Sequence, residues 1–187
     1  MNNSKMAVVS FFAKIAAAYG LWYVAYDLWL LPDGRFDAWL SHSVVDVSAA
    51  FLDTLGWTVS VEGRVVGIEG TPGLQVVNGC NGLTTIGLFI GFVVAFPGSA
   101  FRRLLFIPVG AVVIYAANIF RVSLLAVLQN HWQQAFEWIH NLGAPTFFYL
   151  VVFGLWVLWA NYGGSAETPP SSDTSSETPA SSRPAAA

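Results

Sequence analysis

Charge is scarce in this chain of 187 residues: Asp, Glu, Lys and Arg together make up 10% of it. A typical soluble domain carries about 25%, and a water-facing surface needs about that much polar cover. An ordinary soluble globule is therefore excluded. Cysteine is scarcer still, since Cys80 is the only one. A single thiol rules out an intrachain disulfide and a zinc cluster built on several thiolates. A lone cysteine is ordinarily a small apolar filler, so a role for Cys80 has to come from its surroundings. No basic patch exists to hold nucleic acid.

What is abundant is apolar: 55% of the residues, with eight Trp and fourteen Phe. The apolar residues gather into runs that, all but the second, which is short for a span, are long enough for a bilayer, whose hydrocarbon core of about 30 Å takes roughly 20 helical residues. The runs lie at about 6–31, 82–97, 104–128 and 142–160. The first is interrupted by Lys14 and Asp27 and reads as a retained helix. Its apolar core is long for a signal peptide, and no Ala-x-Ala-like site follows promptly. Trp156, Trp159 and Tyr162 close the last run like an interfacial aromatic belt. The expected fold is an all-α integral membrane bundle of about four transmembrane helices, one membrane domain over residues 1–162. Residues 163–187, almost all Ser, Thr, Pro, Glu and Ala, read as a disordered tail.

Residues 32–79 do not fit lipid. After a Pro-Asp-Gly-Arg turn, residues 36–55 place Phe36, Trp39, Leu40, Val44, Val47, Phe51 and Leu55 near helical spacing. This predicts an amphipathic surface helix. Residues 57–66 alternate and break at Glu62-Gly63-Arg64, which predicts a β-hairpin before the second span. Residues 67–79 hold four Gly and a Pro and read as strand, turn, strand, turn. Backbone of that kind has no way to satisfy its hydrogen bonds in lipid, so the stretch is expected outside the membrane.

Charge sets the orientation. Four spans put Lys5, Arg102 and Arg103 on one side, which the positive-inside rule makes cytoplasmic. Both termini are then cytoplasmic, and residues 32–79 and 129–141 face outward. The outer element carries six acids (Asp33, Asp37, Asp46, Asp53, Glu62, Glu69) against Arg35 and Arg64. The expected location is the cell (inner or cytoplasmic) membrane.

Three reactive residues fall near that outer face. Arg121 lies inside the third span, where a charge is costly and marks function by default. Asn118, three positions earlier, extends it into a polar stripe, and no carboxylate in spans two to four neutralises it. Cys80 opens the second span within Asn78-Gly79-Cys80-Asn81-Gly82. Free amides at a helix N-terminus and a nearby arginine both favour a thiolate, and the same amides suit an oxyanion. His140 stands just before the fourth span and suits acid–base work near neutral pH. His131 is its rival, and His42 a weaker one. Zinc held by Cys80, His131 and His140 is a remote reading, because histidines nine apart make a poor ligand spacing. Neither a metal nor a cofactor is expected.

Together these motifs resemble the exosortase and archaeosortase family. Cys80-Asn81-Gly82 at a span entrance resembles the family's Cys-x-Gly motif. Asn118-Ile119-Phe120-Arg121 within the next span resembles its Asn-x-x-Arg signature, and His140 matches its histidine position. The resemblance covers roughly residues 70–160. With one helix ahead of the cysteine helix, where many members have several, the chain resembles the short-form members. The middle residue of the Cys-x-Gly motif is often Ser and here is Asn81, a position that reads as variable. The resemblance implies a membrane cysteine protease or transpeptidase with Cys80, Arg121 and His140 as its catalytic residues. Asn78, Asn81, Asn118 and His131 would be supporting candidates. It also implies substrates that are membrane-anchored proteins with a C-terminal sorting signal: a short motif, a transmembrane helix and a basic cluster. The competing reading is a non-enzymatic membrane scaffold or small transporter subunit, in which Arg121 binds an anion or a partner's carboxylate.

Overall fold

A computed structural model describes residues 3–163; the expected disordered tail lies, apart from Gly163, outside the described residues. Helix α1 (Asn3–Trp22) runs on through a π-helical stretch (Tyr23–Leu30) and a last turn, α2 (Leu31–Asp33). Gly34, in the left-handed conformation, turns the chain into α3 (Arg35–Thr54). Strands β1 (Val59–Glu62), β2 (Val65–Ile68) and β3 (Leu74–Gln75) follow, then α4 (Leu83–Ala95) and α5 (Ala100–His131). A short helix α6 (Gln133–Trp138) and a second π-helical stretch (Ile139–Gly143) lead into α7 (Ala144–Tyr162).

Three helical stretches are long and apolar enough to cross a membrane: Val8–Asp33, Ala100–His131 and Ala135–Tyr162. The chain is a multi-pass membrane protein. The expectation of about four transmembrane helices is corrected by α4, whose 13 residues reach only about 20 Å. Pro97-Gly98 ends it early, and α4 packs among α1, α5 and α7 as a short inner helix. Its C-terminal carbonyls are taken up from α5: Arg103 donates Nε–H to the Val93 carbonyl (3.1 Å) and an NH2 proton to that of Phe96 (2.9 Å). Those carbonyls have no partner within their own helix.

The expected lone hairpin is also corrected. The strands form a three-stranded antiparallel sheet in the order β1-β2-β3. β1 meets β2 with Val59 opposite Ile68 and Glu62 opposite Val65, and β3 covers the free edge of β2 with Val66 opposite Leu74. Two strands alone are marginal in water; the third edge and the burial of Val66 against α3 and α5 supply what the hairpin lacks.

Helix α3 turns most of its apolar pattern outward, away from the rest of the protein. Leu40 and Val44 are buried, but Phe36, Trp39, Val47, Phe51 and Leu55 of the predicted apolar face are exposed, Trp39 by 63%. The inward face carries Asp37, Ser41 and Ser48, all at 0% exposure, beside Val45 and Leu52. An exposed aromatic face is tolerable where lipid, not water, covers it.

Two cores result. One joins α4, α5 and α7 through Phe89, Val93, Ile114, Phe148, Val152, Leu155 and Trp159. The other joins α3, the sheet and the far half of α5 through Val44, Val45, Leu52, Val66, Ile119, Val122 and Ala126. The candidate site lies where they meet.

Candidate functional site

Helix periodicity builds one wall. Tyr115, Asn118 and Arg121 recur every three residues on α5 and share a face. The Tyr115 hydroxyl lies 2.6 Å from Ser43 Oγ of α3. Asn118 is fully buried, and its Nδ2–H donates to the Cys80 carbonyl at 3.0 Å. Arg121 donates an NH2 proton to the same carbonyl at 3.1 Å. Its guanidinium carbon sits 5.4 Å from the centre of the Phe148 ring on α7. An arginine within a membrane span is costly, so it is retained only where partners meet it. Here they are a backbone carbonyl and an aromatic face, the latter contributing about 0.5–2 kcal/mol. Its buried Nε–H has no acceptor.

The cysteine loop, residues 78–82, is held from three sides. From α5 come the two donors to the Cys80 carbonyl. From the sheet side, Arg64 donates an NH2 proton to Asn78 Oδ1 (2.6 Å) and to Ser41 Oγ (2.7 Å), and its Nε–H to the Val76 carbonyl (3.1 Å). From α3, Asp37 Oδ1 accepts Nδ2–H of Asn81 at 2.7 Å and the Tyr26 hydroxyl at 3.1 Å. Asn81 in turn accepts the Leu83 backbone N–H at 3.1 Å, which serves a free amide at the start of α4. Gly79 (φ 82°) and Gly82 (φ 86°) take left-handed conformations on either side of the cysteine. A side chain at either would be strained by about 1–2 kcal/mol. Cys80 is half-buried and unbridged.

Cys80, Asn118 and Arg121 thus come together, with Asn78 and Asn81 flanking them. The histidines stand apart. His140 is exposed on the π-helical stretch before α7 and stacks on Phe136 at 5.4 Å between ring centres. His131 is exposed at the end of α5, edge-on to Trp57 at 5.2 Å. Among the described residues no hydrogen bond joins either histidine to Cys80 or Arg121, and no group of three or more His, Cys, Asp or Glu is arranged around a metal position.

Several participants escape sequence reasoning. Asp37 and Arg64 count there only as outer-face charges, and Tyr26, Ser41 and Tyr115 as ordinary helix residues. One signal was available: Asp37, Ser41 and Ser48 lie four and seven apart, a polar stripe on one helical face.

The two ends of the bundle are distinct. Phe11 of α1 packs on Phe92 and Phe96 near the end of α4. At that same end, Arg102 of α5 donates to the Tyr162 carbonyl of α7 at 2.7 Å. The cysteine loop lies at the other end. Asn118 and Arg121 stand 16 and 19 residues beyond Arg102 on one helix, about 24 and 28 Å along its axis.

A family model described as Transmembrane exosortase (Exosortase_EpsH) matches residues 7–157. No curated protein and no solved structure matches the chain. The matched region runs from α1 into α7 and contains every residue of the cysteine loop and of the α5 polar face, so the chain belongs to the transmembrane exosortase family.

Proposed function

We propose that this protein is a membrane cysteine protease or transpeptidase that cleaves the C-terminal sorting signal of exported proteins at the outer membrane face. The observation that carries the reading is the double clamp on the Cys80 carbonyl by Asn118 and Arg121, with Arg121 Nε–H left free of any acceptor. The clamp fixes the backbone of a half-buried thiol at the mouth of a helix. The free donor is available to an oxyanion forming beside it.

Cys80 Sγ attacks the scissile carbonyl carbon as its proton passes to His140. The tetrahedral oxyanion is held by Arg121. When the C–N bond breaks, the leaving amine takes the proton from His140 and a thioester remains on Cys80. A second nucleophile then gives its proton to His140, attacks the thioester and returns the thiol. Water as that nucleophile gives hydrolysis, and an amine gives transfer. His140 lies eight residues ahead of Phe148, the ring beneath Arg121. It must leave its stack on Phe136 to reach the thiol.

Depth supports the substrate class. The clamp stands about 24–28 Å along α5 from Arg102, close to the roughly 30 Å of a bilayer's hydrocarbon. With Arg102 and Arg103 taken as the cytoplasmic end of α5, Cys80 at the opposite end meets a peptide just outside a spanning helix. A substrate helix followed by a basic cluster fits that spacing. The scaffold or transporter reading fits less well, because it gives no role to the cysteine whose carbonyl Asn118 and Arg121 both hold.

The test is trapping. The enzyme is purified after co-expression with candidate substrates that carry a C-terminal helix and basic cluster. Mass spectrometry should find a hydroxylamine-sensitive adduct on Cys80, and Cys80→Ala should abolish both adduct and processing. Full processing by the Cys80→Ala enzyme would end the thiol mechanism.

A further inference from the structure

We propose that Asp37 is a positioning residue for Cys80, acting through Asn81. This rests on the reading of Cys80 as the nucleophile. Asp37 belongs to none of the motifs that mark the family in this chain, and it lies 43 positions before the cysteine.

The argument starts from burial. Asp37 and Asn81 are both at 0% exposure. An isolated buried carboxylate is costly, and it survives only where donors meet it. Both donors go to one oxygen: Asn81 Nδ2 at 2.7 Å and the Tyr26 hydroxyl at 3.1 Å reach Oδ1, while Oδ2 is buried without a partner. A carboxylate that served only to hold the fold would be expected to use both oxygens. This one gathers both donors at a single oxygen, and the shorter of the two bonds fixes the Asn81 side-chain amide.

That amide adjoins Cys80 in the chain. A carboxylate oxygen accepts and does not donate when ionised, so it admits only the NH2 side of Asn81. The Asn81 Oδ1 is thereby turned to the Leu83 N–H at 3.1 Å, at the first residue of α4. Tyr26, Asp37, Asn81 and the Leu83 amide form one chain of hydrogen bonds crossing from the π-helical stretch after α1 through α3 to α4. It sets the flank of the cysteine loop that Asn118 and Arg121 leave untouched, since those two hold the Cys80 carbonyl. Without it the loop keeps one anchor at its carbonyl and another at Asn78, and is free to swing at Gly82.

The experiment uses the fact that Cys80 is the sole cysteine, so a thiol reagent reports on it alone. The full chain in native membranes is treated with iodoacetamide, the rate of Cys80 alkylation is measured, and processing of a co-expressed substrate is followed in parallel. Asp37→Leu should change the alkylation rate several-fold and lower processing by about tenfold or more, as expected for a small misplacement of a reacting group. Asp37→Asn keeps an oxygen where both donors point and should retain most of both signals. Asn81→Asp sets two carboxylates face to face and should lose them. The double exchange Asp37→Asn with Asn81→Asp reverses the direction of the bond, leaves an acceptor for Leu83, and should restore them. Rescue shows that the bond between the two side chains is what matters, and the Cys80 alkylation rate, read on inserted protein, separates loop placement from mere loss of fold.

Wild-type alkylation and processing in Asp37→Leu would overturn the inference. So would an Asp37→Asn enzyme that fails to process although its thiol alkylates normally, because the carboxylate would then be acting on the reaction itself. If Asp37→Leu does not insert, the comparison of Asn81→Asp with the double exchange decides, and an exchange no better than the single variant overturns the proposal. Processing by Cys80→Ala sinks the thiol reading instead, while the alkylation rates still report whether Asp37 sets the loop.

Discussion

The two ends of this bundle are built on opposite rules. Around Phe89, Ile114, Phe148 and Trp159 the helices meet through apolar and aromatic side chains, with Phe92 stacked on Trp156 at 4.7 Å. Around Cys80 the elements meet through polar groups: Asp37 to Tyr26 and Asn81, Arg64 to Ser41 and Asn78, Asn118 and Arg121 to a backbone carbonyl. Apolar packing in a membrane is forgiving in direction. Hydrogen bonds are directional, and an unmet buried donor or acceptor costs about 1–3 kcal/mol. The site end therefore gives up tolerance and gains a fixed loop geometry, while the other end supplies the mechanical support.

Substitutions at the two ends should separate activity from stability. The largest effect is expected at the acid. His140→Ala should lower processing by at least about a hundredfold, the range for a lost general acid–base group, and His131→Ala by only a few-fold. The reverse ranking would move that role to His131. Next comes Arg121→Lys, which keeps the charge but loses the planar fork of donors. A fall of about a hundredfold in processing is expected, with little shift in the denaturant midpoint in micelles. Wild-type activity would show that charge alone suffices.

At the dry end the order inverts. Phe89→Ala, at a fully buried position, should cost about 3 kcal/mol of stability and leave activity per folded molecule within about twofold. Equilibrium unfolding beside an active-fraction assay measures both. The smallest effect belongs to the boundary between the ends. Tyr115→Phe removes the bond to Ser43 and should cost about 1 kcal/mol with a slight loss of processing. A large loss of processing there would extend the site toward α3.

The same contrast decides what the sequence makes legible. Long apolar runs announce α5 and α7 because lipid demands them over a fixed length. The run at α4 is announced too, and is already short for a span in the sequence; that it does not cross comes from its 13 residues. Pro97-Gly98 stops the helix at a length too small to cross, and Arg103 reaches back to finish its carbonyls. β3 is foreshadowed only as one of the short strands between the turns of residues 67–79; at two residues it carries no periodicity to fix its partner. In α3 the apolar spacing marks the outward face, and the polar stripe is the part that turns inward to find partners. Asn81 reads as a variable middle residue in a three-residue motif, yet it is wholly buried and tied to Asp37. Only contact across 44 positions reveals it. The proximity of Cys80 to Asn118 and Arg121 is foreshadowed by their depth, since each sits near the same end of an antiparallel pair. The histidines are not foreshadowed in that way, because a loop places its side chains by contacts that leave no pattern in the chain.

The adjacent arginines at the start of α5 carry two duties in one dipeptide. Arg102 ties α5 to the end of α7 through the Tyr162 carbonyl, and Arg103 ties it to the end of α4. They are also the residues a translocon would weigh when it chooses which way the chain threads the bilayer. Insertion and assembly therefore share a single point of failure. A charge reversal intended to flip the protein in the membrane would also unstitch two helix ends. An inverted but intact molecule is not reachable by that route.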